Sequence, residues 1–230
     1  MNKLLFIFTL LASISSAFAR ELISIEITAD GRQDCKYVLH TDVNYDKELE
    51  RSVKSTWSGR CTNGYLQGNG ILKRTYPKGV ISIYTAHYVN GKEEGPGTSQ
   101  IIYPNGSNSF FSGTFHNGFQ AQGTQTTTNS TTSMKSVYEG TFWNNERSGK
   151  GSLYLQGPNT HLKYVGDFLN NKRNGNGTIQ YYDTGVTWSG PFTNDRMNGT
   201  GRYSTKDGEF GTAQFANGEK IYEQADPDYV

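Results

Sequence analysis

Residues 164–179 read Tyr164-Val165-Gly166-Asp167-Phe168-Leu169-Asn170-Asn171-Lys172-Arg173-Asn174-Gly175-Asn176-Gly177-Thr178-Ile179, and their pattern decides the fold. In an extended chain residues i, i+2 and i+4 share a face, so Tyr164, Gly166 and Phe168 point one way and Val165, Asp167 and Leu169 the other. Asn170-Asn171 supplies two residues that tolerate positive φ, the requirement of a tight hairpin turn. A return strand with Gly175, Gly177 and Ile179 follows. The unit is a β-hairpin with an aromatic and glycine face and a polar face.

The unit recurs. Trp57-Ser-Gly59-Arg-Cys61, Tyr84-Thr-Ala86-His-Tyr88, Phe111-Ser-Gly113-Thr-Phe115, Tyr138-Glu-Gly140-Thr-Phe142 and Trp188-Ser-Gly190-Pro-Phe192 occupy the same place, with starts 27, 27, 27, 26 and 24 residues apart. A fixed period in this range marks an array of small supersecondary units. Turn residues follow each phrase: Asn63-Gly64, Asn90-Gly91, Asn117-Gly118, Asn144-Asn145 and Asn194-Asp195. Glycine weakens a strand, so its regular placement implies aromatic rings lying across bare backbone. Twelve strands at about 4.8 Å each give a sheet roughly 55 Å long, elongated, twisted and one layer thick.

The phrase Tyr-x-Gly-x-Phe with its later Gly-x-Gly, clearest at 138–151, 164–177 and 188–201, resembles the MORN (membrane occupation and recognition nexus) repeat. The resemblance covers about residues 57–218. It implies an open antiparallel sheet of tandem hairpins used for scaffolding, partner binding or, in some members, membrane association. Trp57 to Cys61, following Cys35, looks like exported bacterial members whose first repeat carries a cysteine. The period near 27 exceeds the family's usual length, which longer connections between hairpins would absorb. Ala86 stands where Gly is expected. In the third repeat Gln122 and Thr124 fall on the Gly-x-Gly positions around a lone Gly123, so residues 119–136 are expected to form a bulge or surface loop with a kink.

Residues 1–19 carry one early cation, Lys3, an apolar run and a small-x-small end, the form of a signal peptide cleaved near Ala19, with a retained anchor as the alternative. Removing Lys3 from the 22 basic residues leaves 21 against 21 acidic ones, a balance that gives no field for nucleic acid and argues against membrane association through anionic lipid. Residues 20–54 are expected to cap the first hairpin, 55–220 to form the array, and 221–230 a flexible acidic tail. Cys35 and Cys61, the only cysteines, read as one disulfide in an oxidising compartment, periplasmic or extracellular. A redox pair would need closer spacing.

His40, His87, His116 and His161 read as solvated surface residues, with no metal implied, and each Gly-x-Gly enters a strand rather than the helix N-terminus a phosphate loop needs. No nucleophile and base pairing, cofactor motif or carboxylate ladder stands out, so the reading is non-enzymatic and cofactor-free. The four N-x-S/T sequons matter only in a eukaryote, and the reading here is bacterial.

Function is sought in the aromatic face: Tyr84, Phe111, Tyr138, Tyr164 and Trp188, with Phe115, Phe142, Phe168 and Phe192 beside them. Left open, this row would receive a protein or peptide, or a second copy of the chain as a homodimer; a cell-envelope glycan or a lipid surface is the alternative. Consumed by stacking over glycine, the same rings would leave no surface at all.

Overall fold

The computed structural model describes residues 22–28, 35–42 and 53–226. The expected signal peptide, most of the charged stretch 46–54 and the last four residues lie outside them. Strands β1 (Leu22–Thr28) and β2 (Lys36–Asp42) form an antiparallel pair, and β3 (Lys54–Trp57) and β4 (Arg60–Thr62) both pair with β5 (Tyr65–Thr75). Next come β6 (Ile81–Val89), β7 (Lys92–Ile102), β8 (Asn108–His116), β9 (Phe119–Asn129), β10 (Met134–Trp143), β11 (Glu146–Gly157), β12 (Thr160–Leu169), β13 (Lys172–Tyr181) and β14 (Thr187–Thr193). Each is antiparallel to the one before it. The short β15 (Arg196–Met197) and β16 (Gly199–Ser204) both pair with β14, and β17 (Phe210–Ala216) and β18 (Glu219–Ala225) complete one open sheet of tandem hairpins. Residues 219–225 thus belong to a paired strand, where a flexible tail was expected from 221 onward.

The turns close the hairpins as their residues demand. Both central residues have positive φ in every Asn-led turn within a repeat, from Asn63 (52°) and Gly64 (80°) to Asn217 (53°) and Gly218 (92°), the geometry that matches the twist of the flanking strands. The second turn residue also ties each hairpin to the previous one: the Gly91 N–H donates to the Leu66 carbonyl (3.0 Å), Asn171 to Arg147 (3.0 Å) and Asp195 to Arg173 (3.0 Å). Where that residue is Asn or Asp its side chain accepts as well, from the backbone N–H of Gln120, Arg147 and Arg173.

The two glycines of each Gly-x-Gly have different tasks. The first, such as Gly95, Gly149 or Gly175 (φ 74°, 78° and 102°), sits in a β-bulge at positive φ. The second pairs with the glycine of the outgoing strand, and these pairs line up across the sheet: Gly70, Ala86, Gly97, Gly113, Gly123, Gly140, Gly151, Gly166, Gly177 and Gly190 form one unbroken ladder. Repeat three keeps this register. Gly123 is its ladder glycine, and the repeat is one residue short because its bulge holds Ala121 alone, with no positive-φ glycine. The Thr-rich run is continuous strand through Asn129 and resumes at Met134, so no loop interrupts the sheet over 119–129.

The N-terminal segment does more than cap one hairpin. The Cys35–Cys61 disulfide, with Cα atoms 5.5 Å apart, anchors it. From there β2 runs over three successive turns: the Lys36 N–H donates to the Gly64 carbonyl (2.9 Å), Val38 to Gly91 (2.8 Å), and the His40 ring bonds the Asn117 carbonyl (2.9 Å) while stacking on Phe119.

Candidate functional site

The residues expected to form an open aromatic face are the core of the sheet. Phe111, Phe115, Tyr138, Phe142, Tyr164, Phe168, Trp188 and Phe192 are all buried, with 0–6% of their surface exposed. Phe111, Tyr138, Tyr164 and Trp188 each lie across the glycine pair of their own hairpin. A Cβ on Gly151 or Gly177 would fall closer than 3.0 Å to the ring of Tyr138 or Tyr164. Edge-to-face contacts then link hairpin to hairpin: Phe111 to Phe142 (5.4 Å), Tyr138 to Phe168 (5.0 Å), Tyr164 to Phe192 (4.9 Å) and Trp188 to Phe215 (5.6 Å). Guanidinium groups close the row from above: Arg147 over Tyr138 and Phe168, and Arg173 over Tyr164 and Phe192, all within 5.8 Å. The phenols of Tyr138 and Tyr164 donate to the carbonyls of Thr141 and Asp167, and burial pushes both up to about 12. Of the nine expected rings only Tyr84 is partly exposed.

Exposed apolar groups stand on the opposite face. Ile71, Val89, Phe110, Trp143, Val165 and Leu169 alternate with buried core residues along their strands and are 39–70% exposed, Trp143 being the most exposed at 70%. Trp143 and Leu169 hold the same position, immediately before the turn, in successive hairpins, two strands or about 10 Å apart. On the same face lies a shallow hollow of about 850 Å³ over the glycine ladder, floored by bare backbone and walled by groups such as Glu139, Lys150, Ser152, Val165 and Thr178. A second hollow of about 790 Å³, with Thr85, His87, Thr98 and Ser112 on its walls, continues the channel over repeats one to three. A Cβ at a ladder position would point to the ring side, so the outer face there is backbone alone between rows of outward side chains. The signal was present in the sequence, since Trp143 follows Phe142 and must point away from the rings.

Four stretches match the MORN repeat. They are residues 84–107, 138–156, 164–186 and 188–210. A search of curated proteins finds no match to the chain. The matched units coincide with hairpins β6–β7, β10–β11, β12–β13 and β14–β16, and the repeat with the shortened bulge, 111–123, falls between matches.

The array also has an internal break in its core chemistry. At the two inward positions of the return strand, repeats one, four, five and six carry Leu66 and Leu72, Arg147 and Leu153, Arg173 and Ile179, Met197 and Tyr203; repeats two and three carry Glu93 and Ser99, Gln120 and Gln125. Glu93 is 8% exposed and accepts from the Tyr88 hydroxyl (2.8 Å). Burial raises its carboxyl to about 7 from 4.5, against the opposing pull of the Tyr88 bond and the Arg74 charge. Between those values the folded chain holds a proton that the unfolded chain has released, so stability falls as pH rises through this window and levels off above it. His40, held below its ordinary value chiefly by burial, acts with the opposite sign, so the decisive quantity is a difference. The stability gap between the wild type and Glu93→Gln, measured by urea unfolding, should widen in favour of the variant from pH 5 to pH 7.5, and a constant gap would contradict this assignment.

Proposed function

We propose that the chain is an exported, non-enzymatic repeat scaffold that holds a protein partner against the outer face of the sheet. The observation that carries this reading is Trp143, 70% exposed on the same outer face as Leu169 and Val165, each 50% exposed, and as the channel that crosses successive hairpins. Tryptophan ringed by smaller apolar groups is the residue type that dominates protein interfaces, and a channel running across the strands suits an extended segment. The MORN repeats support a binding scaffold, and the Cys35–Cys61 disulfide supports an oxidising compartment. The sequence offers no catalytic constellation, in keeping with a non-enzymatic role.

A photoreactive aromatic at position 143 should yield a discrete intermolecular adduct in the native host, and one at 164 should yield none. With the partner identified from that adduct, whether another protein or a second copy, Trp143→Ala should weaken binding by about 2 kcal/mol, roughly thirtyfold. An adduct from 164 with silence at 143 would return the function to the aromatic face.

A further inference from the structure

The polar break in the core encloses a cavity of about 270 Å³, separate from the outer channel and on the other side of the sheet. Arg74, Tyr84, Glu93, Ser99, Gln120 and Gln125 supply its polar wall, with Arg74 and Glu93 as groups of opposite charge, Leu72, Ile101 and Phe115 an apolar one, and the β2 segment with Val38, Leu39 and His40 bounds it. Its origin is a local change of side chains. Ser99 stands opposite both Tyr84 and Phe111, and Gln125 opposite both Phe111 and Tyr138, where the later hairpins place Leu153 and Ile179 between their rings. A serine in a leucine's place leaves space, and an amide in a leucine's place leaves hydrogen-bonding groups inside an otherwise apolar row. Such groups are costly unless something satisfies them. Gln120 donates to the Ser99 hydroxyl at 3.4 Å, and its Oε1 is buried without a hydrogen-bond partner.

We propose that this cavity is a binding site for one small neutral polyhydroxylated unit, a single sugar ring, either free or at the end of a glycan. Acceptors at Gln120 Oε1 and Glu93 stand beside donors on Gln125 and Tyr84, and a hydroxyl is the group that can serve both at once. The wall of Leu72, Ile101 and Phe115 faces the apolar C–H side of such a ring, the division of labour found in small-molecule sites. The volume admits one ring and not a chain of them, so a glycan would enter by its terminal unit.

Saturation-transfer NMR on the full mature chain tests this with glucose, galactose, mannose and N-acetylglucosamine, their β-linked disaccharides, and glucuronate and glutamate as charged controls. Ser99→Leu is the informative variant, because it installs the side chain that the later repeats already carry and should fold with an unchanged or higher melting temperature. The expected result is transfer to at least one neutral sugar that is lost in Ser99→Leu and reduced in Gln120→Leu. Transfer to the free monosaccharide identifies a soluble ligand, and transfer to the disaccharide alone identifies a glycan end. The proposal is overturned if no neutral sugar receives magnetisation, if only the charged controls do, or if Ser99→Leu binds as well as the wild type.

Discussion

Gly166→Ala should destabilise the protein by about 3 kcal/mol and lower its melting temperature by roughly 10 °C, a large effect for one methyl group. The reason is the ladder. A Cβ at 166 would meet the Gly177 Cα at 2.5 Å, the Tyr164 hydroxyl at 2.5 Å and the Asn176 carbonyl oxygen at 2.6 Å, and two of these are backbone atoms fixed by strand pairing. Relief requires the strands to separate or the Tyr164 ring to leave its seat, and either breaks the edge-to-face chain to Phe192. Gly68→Ala is the matched control. Gly68 lies in a bulge at φ 78°, and an added Cβ there would meet nothing within 4 Å, so only the left-handed backbone conformation is penalised, about 1 kcal/mol. Thermal unfolding of both variants separates the ladder glycine from the bulge glycine, and equal losses would mean that ring stacking over glycine contributes nothing specific.

Loss of the disulfide is the second large effect. The Cys35–Cys61 bridge closes 26 residues of sequence, and the chain-entropy model assigns such a loop roughly 3.5 kcal/mol. A Cys35→Ser, Cys61→Ser double variant should therefore unfold at correspondingly lower urea. It should also lose protection first along β2, which the disulfide anchors at its start and which is linked to the sheet by the backbone bonds at Lys36 and Val38, by Tyr37, buried under Arg74 and bonded to Ser55, and by the His40 contact with Asn117 and Phe119, among others. Hydrogen exchange resolved by peptide checks this, with the core hairpins β10 to β14 expected to keep their protection. Uniform loss across the chain would show that β2 and the array unfold as one unit.

The hairpins, their turns, the disulfide and the identity of the inner rings were legible in the sequence because each rests on local rules: alternation by two, paired positive φ at Asn-Gly, and the scarcity of cysteine. Which face stays open was not. Alternation already points Trp143 away from the rings, but only the register between neighbouring strands brings a glycine pair beneath Tyr138 and closes the ring face. The third repeat misled for a related reason. Counting forward from Phe111 places Gln122 and Thr124 on glycine positions, whereas the sheet aligns Gly123 with Gly113 and Gly140 and absorbs the missing residue in the bulge. The reach of β2 across three turns depends on contacts 28 and 77 residues apart in the chain, Lys36 to Gly64 and His40 to Asn117, which no local pattern encodes.

The chain contains three tryptophans, and they divide the two faces between them: Trp57 and Trp188 are 8% and 2% exposed on the ring side, and Trp143 is 70% exposed on the other. Iodide quenching of tryptophan fluorescence in the wild type and in Trp143→Phe is therefore the most direct test of which face is open. The wild type should show a red-shifted, quenchable component that disappears in Trp143→Phe, leaving blue-shifted emission that iodide does not reach. A Trp143→Phe variant whose remaining emission is still strongly quenched would mean that the ring face is open to solvent, contrary to the closed aromatic core.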